Sequence, residues 1–303
     1  MISRRRFLAL TAASAGTGFL GAAQAFALEP RFGLVVKEWT VSPAGWPAAA
    51  PPLRIGILTD IHAVEPWMSA RRIGAIAEEL NAASPDIIVL LGDYVNALPR
   101  SYHSGEVAVS EWAAALRSLH APLGVYAILG NHDCSSGDLP AIRNAFEKSG
   151  IALLENAAVK VRRGHDYFWL AGLADQLAPF SRGIADVRAT LEQVRDRAPV
   201  ILLAHEPDIF CYVPPSVTLT LAGHTHGGQV YIPFIGRPGL TAKFGRSAKY
   251  AYGHFEEEGR HMIVSSGLGL SGVPVRFLVP PEIALVTLRG RQSFNLSQSY
   301  FNS

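Results

Sequence analysis

Leu53-Arg54-Ile55-Gly56-Ile57-Leu58-Thr59-Asp60-Ile61-His62 opens on a short apolar run and closes on two residue types that bind metals. A run of this length without alternation reads as a strand covered on both faces. Working outward, the same grammar repeats. Ser69–Ala82 puts Ile73, Ile76, Ala77 and Leu80 on one helical face. Asp86–Leu91 is a second buried strand, ending at Gly92-Asp93. Val107–Leu119 has helical spacing, and Val125–Leu129 is a third strand ending at Gly130-Asn131-His132-Asp133. Leu139–Ser149 is a helix stopped by Gly150. Beyond it the chain becomes strand-rich, at Phe168–Gly172, Val200–Ala204, Val217–Ala222, Met262–Ser265 and Ile283–Leu288, with a helix near Ile184–Arg195. Residues 30–52 read as an edge strand and a Pro/Ala-rich loop. Strands alternating with helices predict an α/β fold whose ligands bind beyond the carboxyl ends of the strands.

Those ends carry the chemistry. Asp60 and His62 follow one strand, Asp93 the next, Asn131 and His132 the third, His205 a fourth, and His224 and His226 a fifth. Residues two apart in a strand share a face, so the Asp60/His62 and His224/His226 pairs are each expected to face one cavity. Each fragment alone is weak, since Gly-Asp after a strand is often only a turn. Gly223-His224-Thr225-His226-Gly227-Gly228-Gln229 is more specific. A metal-free polar network is the alternative, but burying this many carboxylates and imidazoles costs several kcal/mol each unless all are paired. Two divalent ions would bring four positive charges, more than the few carboxylates at these strand ends return, so positive charge would remain for an anionic substrate. Nitrogen and oxygen donors without thiolate fit Mn, Fe, Zn or Co better than Ca or Mg.

These motifs resemble the calcineurin-like metallophosphoesterases, whose order is Asp-x-His, Gly-Asp, Gly-Asn-His-Asp/Glu, His, Gly-His-x-His. All occur in sequence from residue 60 to 226. The extended 223–229 motif, with Pro274-Val275-Arg276-Phe277 and Pro280-Pro281-Glu282-Ile283, is similar to a bacterial branch of exported or membrane-associated phosphodiesterases. The resemblance covers about residues 30–290. It implies a four-layer αββα sandwich with a dinuclear metal site at the C-terminal ends of the strands. It also implies that Asp60, His62, Asp93 and His226 hold one divalent ion, and that Asp93, Asn131, His205 and His224 hold the other. His132 would face substrate as general acid or charge stabiliser. Asn96, where many relatives have Asp, lies outside that set.

Composition bounds the rest. With 303 residues, 49% hydrophobic and 17% charged, the chain is no disordered segment, and a net charge of +2 is too small for a nucleic-acid footprint. Residues 1–27 read as an export signal. Ser3-Arg4-Arg5-Arg6-Phe7-Leu8 resembles the twin-arginine motif, Phe7–Leu28 is uncharged, and Ala25-Phe26-Ala27 offers a cleavage site, with Ala23-Gln24-Ala25 a second option. An uncleaved anchor is the other reading, since 22 uncharged residues can just span a bilayer. Cleavage removes three Arg and no acid, leaving 24 basic against 25 acidic side chains. Residues 28–303 then form a single domain without linker or repeat, located in the periplasm or on the outer face of the cytoplasmic membrane. Cys134 and Cys211 are too few for a disulfide framework and read as free thiols, with Cys134 a packing residue.

Other features have plainer readings. Gly267-Leu268-Gly269-Leu270-Ser271-Gly272 matches a dinucleotide fingerprint but no amphipathic helix follows, so it reads as a tight loop beside the metals. Arg71 and Arg72 read as solvated. Lys243, Arg246, Lys249 and Arg276 include candidates for a substrate phosphate. His103, His120, His165, His254 and His261 belong to no motif. Tyr231-Ile232-Pro233-Phe234-Ile235 is either a buried turn or an apolar wall for an amphiphilic substrate, one that Trp67 and Met68 would extend. Three functions follow. The first is a two-metal phosphodiesterase acting on an envelope or lipid-linked phosphodiester or pyrophosphate, with peripheral membrane contact and the twin-arginine machinery as further partners. A pyrophosphate hydrolase of the UDP-2,3-diacylglucosamine type is an alternative that export disfavours, because nucleotide sugars are cytoplasmic. The second is a two-metal amidase or peptidase. The third is a metal-binding protein without catalysis.

Overall fold

Leu53–Leu58 forms a strand because both of its faces are covered. Ile55 and Ile57 point into one apolar layer, and Leu58 into another. The computed structural model describes residues 21, 23–177, 185–238 and 249–291. Two six-stranded sheets stack face to face.

In chain order the first sheet contains β1 (Val35–Val41), β2 (Leu53–Leu58), β4 (Ile87–Leu91), β6 (Val125–Ile128), β7 (Ala152–Leu153) and β14 (Glu282–Leu288). β3 (Val64–Glu65) and β5 (Gly105–Glu106) make a separate two-stranded piece. The second sheet contains β8 (Ala157–Arg163), β9 (Asp166–Gly172), β10 (Val200–Leu203), β11 (Leu219–Ala222), β12 (Gly253–Glu257) and β13 (Arg260–Val264). The spatial orders are β1-β14-β2-β4-β6-β7 and β12-β13-β11-β10-β9-β8. β2, β4 and β6 run parallel, as do β9, β10, β11 and β13, so each group points its C-terminal ends one way.

Alternation within each strand divides the core. Ile87, Val89 and Leu91 meet Ile201, Leu203, Leu219 and Ile263 between the sheets. Ile88 and Leu90 face outward under the helices Ala70–Ala82, Val109–Leu116 and Leu139–Ser149. There Tyr94 stacks on Trp112 at 5.3 Å and meets Phe146 edge-on at 4.8 Å. Each buried Leu or Ile contributes about 1.5–3 kcal/mol by leaving water. The outer face of the second sheet is covered more thinly, by the short helix Val187–Leu191 and the 3-10 turn Pro207–Tyr212. This is the expected αββα sandwich.

Several boundaries differ from expectation. The helix expected over 184–195 is five residues long, and Ile184 lies outside the described residues. The helix expected over 107–119 spans Val109–Leu116. β8 and β12 were not anticipated, because their half-exposed, charge-bearing patterns lack an apolar run. Among the described residues no helix is long and apolar enough to cross a membrane. Residues 1–20 and 22, most of the segment expected to be an export leader, lie outside the described residues.

Candidate metal centre

The segments that follow β2, β4, β6, β10 and β11 converge beyond the strand ends. The residues there do not continue the strands. Asp60, His62, Asp93, His224 and His226 all have positive φ, between 45° and 69°. Left-handed backbone at non-glycine residues costs energy and persists only where the surroundings enforce it. The expected reason for pairing, a shared strand face, is therefore wrong for Asp60/His62 and His224/His226. The kinked loops turn these side chains inward instead, and their hydrogen bonds hold the kinks. Asp60 N–H donates to Gly92 O at 3.0 Å, His62 N–H to Asp93 O at 3.0 Å, and His224 N–H to the Asp60 carboxylate at 3.0 Å.

Two buried clusters result, Asp60/His62/His226 and Asp93/His205/His224, with the donor atoms of each within 4.8 Å of one another. Asp93 links them, since its Oδ2 lies 3.5 Å from His62 Nε2 and 3.2 Å from His205 Nε2. Asn131 Oδ1 joins the second cluster, 3.0 Å from His224 Nδ1. All seven expected ligand residues are thus brought together.

The donor set fits cations. His62 Nδ1 faces Val95 O at 2.8 Å and His205 Nδ1 faces Leu91 O at 2.7 Å. A carbonyl only accepts, so both Nδ1 atoms carry hydrogen and a neutral ring turns its Nε2 lone pair inward. His62 Nε2 then lies 3.1 Å from His226 Nε2, with the rings stacked at 4.9 Å. Buried His205 Nε2 has no hydrogen-bond partner despite its proximity to Asp93. Converging lone pairs and an orphaned buried nitrogen are what a bound cation satisfies.

Electrostatics favour the same reading. Burial lowers His62 to about 4 and His224 to about 3, so both rings stay neutral donors. Burial also holds His226 well below the usual imidazole value. It pushes the Asp60 carboxyl up to about 6, against the pull of His205. Burial alone would raise Asp93, but adjacent His205 outweighs it and keeps Asp93 well below the carboxylate range. Burial would likewise lower His205, yet Asp93 lifts it well above the ordinary value. A bound cation would take the place of the His205 proton and use Nε2 as a ligand atom.

His132 stands apart. It is half-buried in the first turn of Asn131–Ser135, and its ring meets His62 edge-on at 5.1 Å. Its backbone N–H donates to Asp93 Oδ1 at 2.8 Å. It belongs to neither cluster, which leaves its ring free of a ligand's duty.

Some supporting residues carried no expectation. Asp133 accepts the N–H groups of Asp93, Tyr94, Val95 and Gly130 at 2.8–3.2 Å. Its place in the Gly-Asn-His-Asp motif was the available signal. Arg276 corrects the expectation of a phosphate contact. It is fully buried and donates to the carbonyls of Ser266, Gly267, Gly269, Val279 and Pro280, with Nη2 3.4 Å from His226 Nδ1. The 267–272 loop does lie beside the centre. A Cβ on Gly267 would sit 2.7 Å from Asp60 Cβ. Lys249 pairs with Glu257 at 2.8 Å, and Lys243 and Arg246 lie outside the described residues. Arg72 is not solvated as expected but donates to Pro30 O and Trp67 O. Met68 is buried, and Trp67 lies under Arg31, so neither joins the 231–235 segment in a wall. Asn96 caps its own turn at Leu98 N–H. Cys134 and Cys211 are free thiols.

The calcineurin-like phosphoesterase family pattern matches residues 53–228. The chain is similar to the "Uncharacterized metallophosphoesterase YkuE" of Bacillus subtilis, 31% identical over 295 residues, 95% of this chain and 98% of that one. It is similar to an "Uncharacterized metallophosphoesterase" of Aquifex aeolicus, 30% identical over 262 residues, 85% of this chain and 93% of that one. Among solved structures, the sulfate thiohydrolase SoxB of Thermus thermophilus aligns with TM-score 0.47 and 11% identity, covering 78% of this chain and 56% of that one.

Proposed function

The chain belongs to the calcineurin-like phosphoesterase family, and from that premise we propose that it is a dinuclear phosphodiesterase acting on an amphiphilic, envelope-derived phosphodiester. The observation that carries the reading is Asp93, shared between two buried clusters, with His132 held beside them but outside both.

Two divalent transition ions, Mn, Fe, Zn or Co, held by Asp60, His62, Asp93, Asn131, His205, His224 and His226, would polarise a phosphoryl oxygen and lower the pKa of water. The chain's own residues do the rest. Only two carboxylates lie among the donors, so two divalent ions held there would leave net positive charge for an anionic ester. His132 donates a proton to the departing ester oxygen, and the Asp93 carboxylate orients it through the backbone N–H. The buried walls exclude bulk water and strengthen each of these interactions.

The alcohol side of the diester has an apolar place to lie. A cavity of about 390 Å³ reaches His226 and is walled by Val230, Pro238, Val273 and Val275. The Ser-Arg-Arg-Arg-Phe-Leu leader supports twin-arginine export, which puts the enzyme where envelope diesters are.

The test is hydrolysis by metal-loaded protein of bis-p-nitrophenyl phosphate, p-nitrophenyl phosphate and a peptide amide. Preferred turnover of the diester, lost in Asp93→Asn, supports the reading. Preference for the monoester removes the diester assignment, and peptide turnover alone makes the protein an amidase.

A further inference from the structure

The end of the leader is built into the fold. Gln24–Leu28 is a helical turn that runs on into Glu29–Phe32. One side of it docks. Ala25 is buried, and its carbonyl accepts the Arg276 N–H at 2.9 Å. Glu29 is buried, and its carboxylate accepts the N–H groups of Leu278 at 3.0 Å and Val279 at 2.7 Å. Pro30 O accepts from Arg72 at 2.8 Å. The 276–279 segment pairs in turn with the loop at the site's rim, through Tyr231 N–H to Phe277 O and Phe277 N–H to Gln229 O, both 2.9 Å.

Three segments therefore lie side by side, and each is greasy on its outside. The helix presents Phe26, Leu28 and Phe32, the last 76% exposed. The link presents Leu278, 51% exposed, and the rim loop presents Ile235, 73% exposed, and a fully exposed Phe234. Phe234 and Leu278 hold positive φ, 68° and 55°, a strained way to place apolar side chains in water. Isolated exposed apolar residues are ordinary, but a run across three adjoining segments marks an interaction face.

We propose that this face lies on a phospholipid bilayer and that residues 1–27 are kept as a tether. The chain beyond the helix says what covers the face. Residues 7–28 hold 22 consecutive uncharged residues behind Arg4, Arg5 and Arg6, and they enter the fold at Gln24, on this face. The 17 of them that precede the docked turn, residues 7–23, make about 26 Å as a helix, the lower limit for crossing the hydrocarbon core, with the arginines on the cytoplasmic side. Cleavage after Ala27 would cut the docked helix, strip the Arg276 N–H of its acceptor and leave Glu29 next to the new ammonium group on Leu28. A second copy of the chain could cover apolar surface, but it gives no reason for the uncharged stretch to join there. Val230 and Val275, next in sequence to the rim loop and the link, wall the cavity that reaches His226, so a diester's acyl part has a short path out of the membrane. The docking itself does not depend on the hydrolytic reading.

Two measurements on the full chain test this. The first is the intact mass and N-terminal sequence of the exported protein in membrane and soluble fractions. An unprocessed chain that stays with membranes through a carbonate wash supports the tether, and a soluble chain beginning at Leu28 overturns it. The second puts Phe234→Trp full chain into vesicles of phosphatidylethanolamine and phosphatidylglycerol with brominated acyl chains. The added emission, relative to the unsubstituted chain, should be blue-shifted and quenched. Added emission at the position of a water-exposed tryptophan, without quenching, means that the face stays in water. A shift without quenching means that protein covers it. Either result overturns the bilayer assignment, whatever the diesterase assay gives.

Discussion

The Asp133 carboxylate accepts the backbone N–H of Asp93 at 2.8 Å, so an acid that touches no ion holds the acid that joins both clusters. Its Oδ2 takes Asp93 and Gly130, and its Oδ1 takes Tyr94 and Val95. Burial pushes this carboxyl up to about 7, against the pull of those donors. One side chain thereby ties the turn after β4 to the turn after β6.

Asp133→Asn should break this tie. An amide offers one oxygen and one NH₂, so two buried N–H groups would face a donor. The expected cost is about 2–4 kcal/mol, from two stranded donors. Urea unfolding of metal-free protein should show it, and an unchanged midpoint would sink the role given to Asp133.

Arg276→Lys should separate geometry from charge. Lysine keeps the charge but offers three donors from one point, where the guanidinium reaches five carbonyls. Loss of the clasp should lower stability by about 2–4 kcal/mol and weaken metal binding at the Asp60/His62/His226 cluster. Calorimetric titration with Zn should show one weakened step and one intact step. Equal weakening of both would argue for general unfolding instead.

His132→Ala should keep both ions and lose about 10²–10⁴-fold in kcat, the usual range for a proton-transfer group. A diester with a better leaving group should lose less, because it needs less protonation. Elemental analysis showing metal-free variant protein would contradict the assignment.

Acid should release the ions. Asp60, at about 6, and His205, raised by Asp93, are both protonated at low pH, and a proton on either blocks a ligand atom. Affinity therefore falls as pH drops through 6 and keeps rising above it, by about tenfold per pH unit for each competing proton. Zn titrations at pH 5.5 and 7.5, in buffers of different ionisation heat, should show the affinity change and the proton release. A flat profile would mean that the ions sit elsewhere.

Much of this was legible in the chain. The apolar runs at 53–58, 87–91 and 200–203 are continuous because each strand is covered on both faces. The Ala70–Ala82 helix carries its buried face where 3.6-residue spacing puts it. β8 and β12 escaped notice because a strand that is exposed on one side mixes charged and apolar residues.

The sequence by itself determined that metal-ligand residue types follow five strands, since position along the chain is all that statement needs. Only the tertiary structure decided how they meet. Asp60 and His226 are far apart in the chain, and their 3.5 Å approach depends on left-handed kinks and on the carbonyls that Arg276 gathers. The motif resemblance assigned Asp93 as a ligand, but that Asp133 braces it was undecided, because the two acids are alike in composition and only folding points Asp133 at the N–H of Asp93. A hydrogen bond depends on distance and angle in space, and spacing along a chain carries neither.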